Sequence, residues 1–138
     1  AAPKLKKAIQ SSNQWHRYWA IIGLSRFGQQ AKTLTPMIKN VMNKDNNLLN
    51  RARAVEFLAI TDQIDGKQAI EQLVEQSTSD MEALEIMNIA TQLHDAKGTT
   101  FNFSLKPEWQ VEYKGDLDEK QQKNLNYWLT NRMNYLKQ

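Results

Sequence analysis

Three stretches of the chain share one apolar frame: "PKLKKAIQ" from Pro3, "PMIKNVMN" from Pro36 and "KQAIEQLVEQ" from Lys67. Leu5, Ile38 and Ile70 fall in step, as do Ala8, Val41 and Leu73, and Ile9, Met42 and Val74, at spacings of 33 and then 32 residues. Within each stretch these positions are i, i+3 and i+4, one face of an α-helix. Proline opens the first two, where a missing N–H costs nothing. Longer helical segments lie between them. "WHRYWAIIGLSRFG" aligns with "LNRARAVEFLAITD" at a spacing of 34, through Arg17/Arg51, Ala20/Ala54, Ile21/Val55 and Leu24/Leu58. A third copy starts at Asp80, with Ala83, Leu84 and Met87 in the Ala54, Val55 and Leu58 places, 29 residues on. "SSNQ", "NKDNN" and "STSD" separate the pieces and supply N-cap residues. Gly28, Gly66 and Gly98 are expected as helix C-caps.

A helix pair of this length cannot bury its apolar face alone, and stacked copies form one continuous core. The expected fold is therefore all-α, a solenoid of about three helix pairs. An irregular helical bundle is the other arrangement such helices allow. Residues 1–98 form the repeats and 99–138 a different unit. "AAPKLKKAIQ" reads as a second helix without its first, so the first unit is expected to be truncated and the natural chain to continue upstream. After Gly98, "FNFSL" and "WQVEY" alternate apolar and polar residues, which predicts two short extended pieces and suits a hairpin. A final capping helix follows. Asp116 or Asp118 caps it, and Leu125, Trp128, Leu129, Met133 and Leu136 form its stripe, closing the solenoid or docking on another domain.

Composition narrows the chemistry. The 138 residues include no cysteine, which excludes disulfides, thiol nucleophiles and Cys-ligated metals. No apolar run approaches the roughly 18 residues needed to span a bilayer. Net charge is +3 but unevenly spread. Residues 1–60 hold ten Lys/Arg and two acids, Asp45 and Glu56, while residues 61–138 hold eight bases and thirteen acids. Solvated helix faces account for such an asymmetry, and the sharper reading is an anion- or acid-facing surface on the first half.

No catalytic residue and no metal ligand set can be assigned. His16 and His94 are the two histidines, and a metal site usually needs three or four convergent ligands. His94 suits the C-terminal end of a helix. The carboxylate pairs Glu71/Glu75, Glu82/Glu85 and Asp116/Asp118 lie on helix faces or caps, where solvation explains them. No Gly-rich phosphate loop and no Gly-x-Ser-x-Gly elbow occurs. The candidate site residues are Arg17, Arg51 and Arg53, whose guanidinium forks suit sulfate or carboxylate, and Trp15, Tyr18 and Trp19, an aromatic cluster absent from the aligned copy. Trp15 and Trp19 are i, i+4 and share a helix face. The surrounding helix is apolar on most sides, which predicts burial on most sides, with the rings packed in the core or at an interface with another domain and sugar stacking as the alternative.

"RYWAIIGL" (Arg17–Leu24), "RARAVEFL" (Arg51–Leu58) and "EALEIMNIATQL" (Glu82–Leu93) resemble HEAT-like repeats, and more narrowly the HEAT-like C-terminal region of bacterial sulfatases of the arylsulfatase type. The resemblance covers residues 3–98. It implies a non-catalytic accessory domain that packs on an upstream catalytic domain of the same polypeptide and aids the approach of sulfated glycan. It also implies a periplasmic, cell-surface or secreted setting. The sulfatase Cys/Ser-x-Pro-x-Arg motif is absent, since Ala1, Leu34 and Leu105 stand two residues before the prolines. Catalysis and its calcium would belong to the parent domain, and no cofactor is expected in this chain. A free-standing scaffold for a protein or peptide is the alternative. Nucleic-acid binding, as in HEAT-like DNA glycosylases, is disfavoured by the acidic second half.

Overall fold

A computed structural model describes residues 2–104, 106–109 and 119–138. These form seven α-helices: α1 (Ala2–Ile9), α2 (Gln14–Ser25), α3 (Thr35–Lys44), α4 (Leu48–Ile60), α5 (Lys67–Gln76), α6 (Asp80–Lys97) and α7 (Glu119–Lys137). A 3₁₀ segment, Gly28–Leu34, joins α2 to α3, and Pro107–Trp109 makes a second 3₁₀ turn. The all-α solenoid expectation holds.

Helices α2, α4, α6 and α7 pack side by side as one layer. Helices α1, α3 and α5 lie on that layer as α1/α2, α3/α4 and α5/α6 pairs. By contrast, α2 meets the helix that follows it chiefly through the 3₁₀ segment. The pairing frame therefore differs from the one expected from sequence. Helix α1 packs against α2, the helix that follows it, across the first of the tight turns at residues 10–13, 45–47 and 77–79.

Those turns also set the register. Asn13 accepts hydrogen bonds from the Trp15 and His16 amides, Asn47 from the Asn50 amide and Ser79 from the Glu82 amide. Each satisfies helix N–H groups that would otherwise lack partners. The caps lie 34 and then 32 residues apart, so α6 matches α4 at an offset of 32, not 29. A three-residue slip is close to one helical turn, so the apolar face looks the same in either alignment. Structurally, the place of Arg51 is taken by Ala83.

Helix α4 is the centre of the molecule. Asn50, Ala52 and the whole run Ala54–Ala59 are buried, because α2, α6, α3 and α5 surround it. Two apolar clusters meet there. One joins α1–α3 to Ala54, Phe57 and Leu58; the other runs from Ala52 and Val55 through α5 and α6 to Phe101, Phe103, Trp109, Leu129 and Leu136.

Of the three glycines expected as C-caps, Gly98 alone is one: it ends α6 at φ 71°. Gly66 instead precedes α5 at φ 88°, and Gly28 opens the 3₁₀ segment. A Cβ on Gly66 would stand 3.1 Å from Ala59, 3.3 Å from Val55 and 3.4 Å from Leu93, whereas one on Gly98 would meet nothing within 4 Å. Left-handed strain alone puts Gly98→Ala at about 1 kcal/mol. Gly66→Ala adds crowding against three core residues and is expected to cost about 2–4 kcal/mol in urea unfolding.

Beyond α6, Phe101–Ser104 runs without regular structure, and no strand ladder forms among the described residues. Of the predicted second extended piece, "WQVEY", Trp109 ends a 3₁₀ turn; residues 110–113 lie outside the described residues, as do the proposed caps Asp116 and Asp118, so the predicted hairpin falls there too. Helix α7 packs along α6 and buries Leu125, Leu129 and Leu136. Trp128, placed in the same stripe from sequence, is 58% exposed. It sits at the edge of the stripe, about 100° around the helix from Leu129.

Candidate functional site

The arginines singled out from sequence are bound into the repeat framework. Arg17 on α2 forms a bidentate pair with Asp45, Nε to Oδ2 at 2.7 Å and Nη2 to Oδ1 at 3.1 Å. Its Nη1 donates to the Ser11 and Ser12 carbonyls, and Nη2 also reaches Asn46 Oδ1. The hydrogen bond to Asp45 holds the guanidinium pKa above its ordinary value. Arg51 on α4 acts one repeat later. Its Nε donates to the Met42 carbonyl at 2.9 Å and its Nη1 to Gln76 Oε1 at 3.4 Å. Each arginine thus ties its own helix to the ends of the helices on either side. In the third copy the arginine is missing, and Lys106 donates to the Ser77 carbonyl at the end of α5 instead.

Arg53 lies on a different face and joins the aromatic cluster. Its Nη1 donates to Glu56 Oε2 at 3.1 Å and its Nη2 to the Tyr18 hydroxyl at 3.2 Å. Its guanidinium carbon sits 5.4 Å from the Tyr18 ring centroid, a cation–π distance. Trp15 and Trp19 meet the Tyr18 ring edge-on, with centroids 6.0 and 5.4 Å away. The fold thus assembles Trp15, Tyr18, Trp19, Arg53 and Glu56 into one patch across α2 and α4. Arg17 and Arg51 are not part of it.

The tryptophans do not pack into the core of this chain, as an all-round buried helix would require. Trp15 is 54% and Trp19 64% exposed, on the side of α2 opposite the buried Ala20, Ile21 and Leu24. No further helix covers that side among the described residues. Tyr18, gripped by Arg53, holds both indoles nearly perpendicular to its own ring. The patch is therefore apolar, outward-facing and partly stiffened.

Sequence reasoning missed the buried acids. Asp45 and Glu56 are the only acids among residues 1–60, and both are consumed by candidate arginines. Two isolated acids in a basic stretch were the available signal. Asn50, 1% exposed, was missed as well; its Nδ2 donates to the Gln14 carbonyl and leans on Asp45.

Burial raises the Glu56 pKa, and Arg53 only partly opposes this. Because its folded pKa lies above the unfolded one, Glu56 contributes stability that is fully present below the unfolded pKa. That contribution is lost as pH rises through the folded pKa. The stability of the native protein relative to Glu56→Gln is therefore expected to fall as pH rises above the ordinary glutamate pKa of about 4.3, read from urea midpoints. A difference that grew with pH would mean that the Arg53 pair outweighs desolvation.

The histidines sit in local hydrogen bonds. His16 Nδ1 lies 3.2 Å from Ser11 Oγ. His94 contacts Asp95 at 3.0 Å and lies tilted against the ring of Tyr135 on α7, whose hydroxyl donates to Asp95. That hydroxyl is the main reason the Asp95 pKa is lowered. The carboxylates Glu71 and Glu82 accept backbone amides, of Asn102 and Thr78. Among the described residues no three His, Asp or Glu side chains cluster as a metal site would, and no helix is long and apolar enough to cross a membrane.

A family model of HEAT repeats matches residues 2–90, from α1 through most of α6. No curated protein and no solved structure matches the chain.

Proposed function

The chain belongs to the HEAT-repeat family, and from that premise we propose that it is a non-catalytic protein-interaction module whose docking surface is the aromatic patch of α2. HEAT repeats generally mediate protein interactions. The observation that carries the reading is the exposure of Trp15 and Trp19 on one ridge beside Arg53. Tryptophan, tyrosine and arginine are the residues over-represented among interface hot spots. Two indoles left half in water are costly for a free surface and useful at a covered one.

The specific form we favour is the accessory domain of a sulfatase, packing on the catalytic domain of the same polypeptide. It rests on the Arg17–Leu24 stretch, whose "RYWAIIGL" pattern resembles those regions. In this form the rings at Trp15 and Trp19 cover part of the catalytic domain. A contact of Arg17 and Arg53 with sulfated glycan finds less support, because both guanidiniums are already engaged within the chain. Arg51 keeps its Nη2 without a partner among the described residues.

Two measurements test this. The natural gene product should encode, ahead of Ala1, a domain with the Cys/Ser-x-Pro-x-Arg motif; its absence overturns the sulfatase form and leaves a scaffold for another protein. With that domain in hand, mixing it with this chain should shift tryptophan emission to the blue. The variant Trp15→Ala/Trp19→Ala should fold normally and lose about tenfold or more in affinity, as hot-spot truncation does. Unchanged affinity in that variant would remove the patch from the interface.

A further inference from the structure

The pairing of Asp45 with Arg17 leaves a second surface strongly charged. Residues 1–46 hold eight Lys/Arg and the single acid Asp45. No carboxylate among the described residues pairs with Lys4, Lys6, Lys7 or Lys44. All four are exposed. Two clefts share Gln10 and flank α1. One, of about 660 Å³, lies between α1 and α3, with Ile9, Pro36, Met37 and Val41 as its apolar floor and Lys44 on its rim. The other, of about 720 Å³, is lined by Lys4, Lys6, Lys7, Ser11, Ser12 and His16. Together they make a cationic band with an apolar stretch and uncharged hydrogen-bonding groups along it.

We propose that this α1/α3 face docks an acidic polypeptide segment that carries aliphatic side chains among its carboxylates. Charge selects an anion, and the linings select which one. Neither cleft has a Phe, Tyr or Trp side chain, and the one imidazole, His16, is held to Ser11 Oγ at 3.2 Å, so no row of rings is offered to successive nucleobases. A polyphosphate or polysulfate would gain nothing from the Ile9–Met37–Val41 floor, whereas a leucine or valine side chain would be desolvated there. Gln10, Asn40, Ser11 and Ser12 both donate and accept, matching a peptide backbone. The lysines act as flexible point charges, which suits a mobile acidic segment better than a fixed bidentate ligand. This surface is separate from the aromatic patch and does not depend on it.

Fluorescence anisotropy on the whole chain tests the proposal, with two labelled peptides of equal charge: one alternating glutamate with leucine, the other glutamate with glycine. The glutamate–leucine peptide should bind, and the glycine version should bind several-fold more weakly. Lys6→Glu/Lys7→Glu/Lys44→Glu should weaken binding about tenfold or more, and added salt should do the same. Met37→Gln should weaken only the leucine peptide. Trp15→Ala/Trp19→Ala should leave both affinities unchanged, so failure here and failure of the aromatic docking surface can be told apart. Far-UV circular dichroism checks that each variant is folded. The proposal is overturned if the two peptides bind equally, if the lysine changes have no effect, or if a single-stranded oligonucleotide, inorganic tripolyphosphate or phosphatidylserine vesicles bind more tightly than the leucine peptide.

Discussion

Asp45→Ala is expected to lower the unfolding free energy by about 3–5 kcal/mol, the usual cost of stranding one half of a buried ion pair. The Asp45 side chain is only 2% exposed and that of Arg17 14%. The carboxylate accepts from Arg17 Nε and Nη2 and from the Asn47 amide at 2.9 Å, and it lies 3.4 Å from Asn50 Nδ2. Alanine would leave all of these donors short of a partner at the seam of α2, α3 and α4. It would also release the far end of the clamp, where Arg17 holds the Ser11 and Ser12 carbonyls behind α1. Urea denaturation reads the loss directly. Removing both charges at once, in Arg17→Met/Asp45→Leu, should recover part of it, because no unpaired charge then stays buried. The Lys97–Asp62 pair provides the contrast. Asp62 is on the exposed edge of the fold, so Asp62→Asn should leave the urea midpoint essentially where it is.

The repeat was legible because its signal is geometric. Ile38, Ile70, Ala54, Leu58 and Leu24 are all buried, as their shared frame predicts. The N-caps Asn13, Asn47 and Ser79 sit in the polar turns where cap chemistry required them. The pairing of helices was less legible, because a periodic pattern marks where helices recur and not which neighbour each one packs against. The third register was misplaced for a related reason: in a helix, a slip of three residues nearly preserves the face. Ion pairing was not legible at all. Arg17 and Asp45 are 28 residues apart, and only the layering of α2 against the α3–α4 turn brings them together. The aromatic cluster was visible as a cluster and as a candidate interface, but the sequence left open whether its rings face the core or face outward. An apolar helix with layer neighbours on both sides would bury Trp15 and Trp19; among the described residues α2 has one such neighbour, α4.

Cutting the chain after Gly98 is expected to abolish cooperative folding, a larger effect than any single substitution above. The sequence marks residue 98 as a boundary, and a separable unit beyond it would let 1–98 melt much as the whole chain does. The packing argues otherwise. Phe101, Phe103, Trp109, Leu129 and Leu136 are all at most 4% exposed and belong to the same cluster as α4, α5 and α6. At about 1.5–3 kcal/mol for each buried side chain, their loss matches or exceeds the roughly 5–15 kcal/mol of net stability a domain has. Polar ties reinforce them across the same line. The Phe101 amide donates to the Leu136 carbonyl at 2.7 Å, Lys67 Nζ to the Thr100 carbonyl at 2.8 Å and Arg132 to Thr91 at 3.2 Å. Solenoids need terminal caps because the last repeat otherwise shows its apolar face to water. Helix α7 together with Phe101, Phe103 and Trp109 covers α6 in this way. Residues 1–98 alone should therefore bind a hydrophobic dye and lose their sharp urea transition. A milder version keeps the chain whole: Leu136→Ala, at a position with no exposed surface, should cost about 2–5 kcal/mol. Two-state melting of 1–98 with the stability of the full chain would instead make the terminal segment a separate appendage.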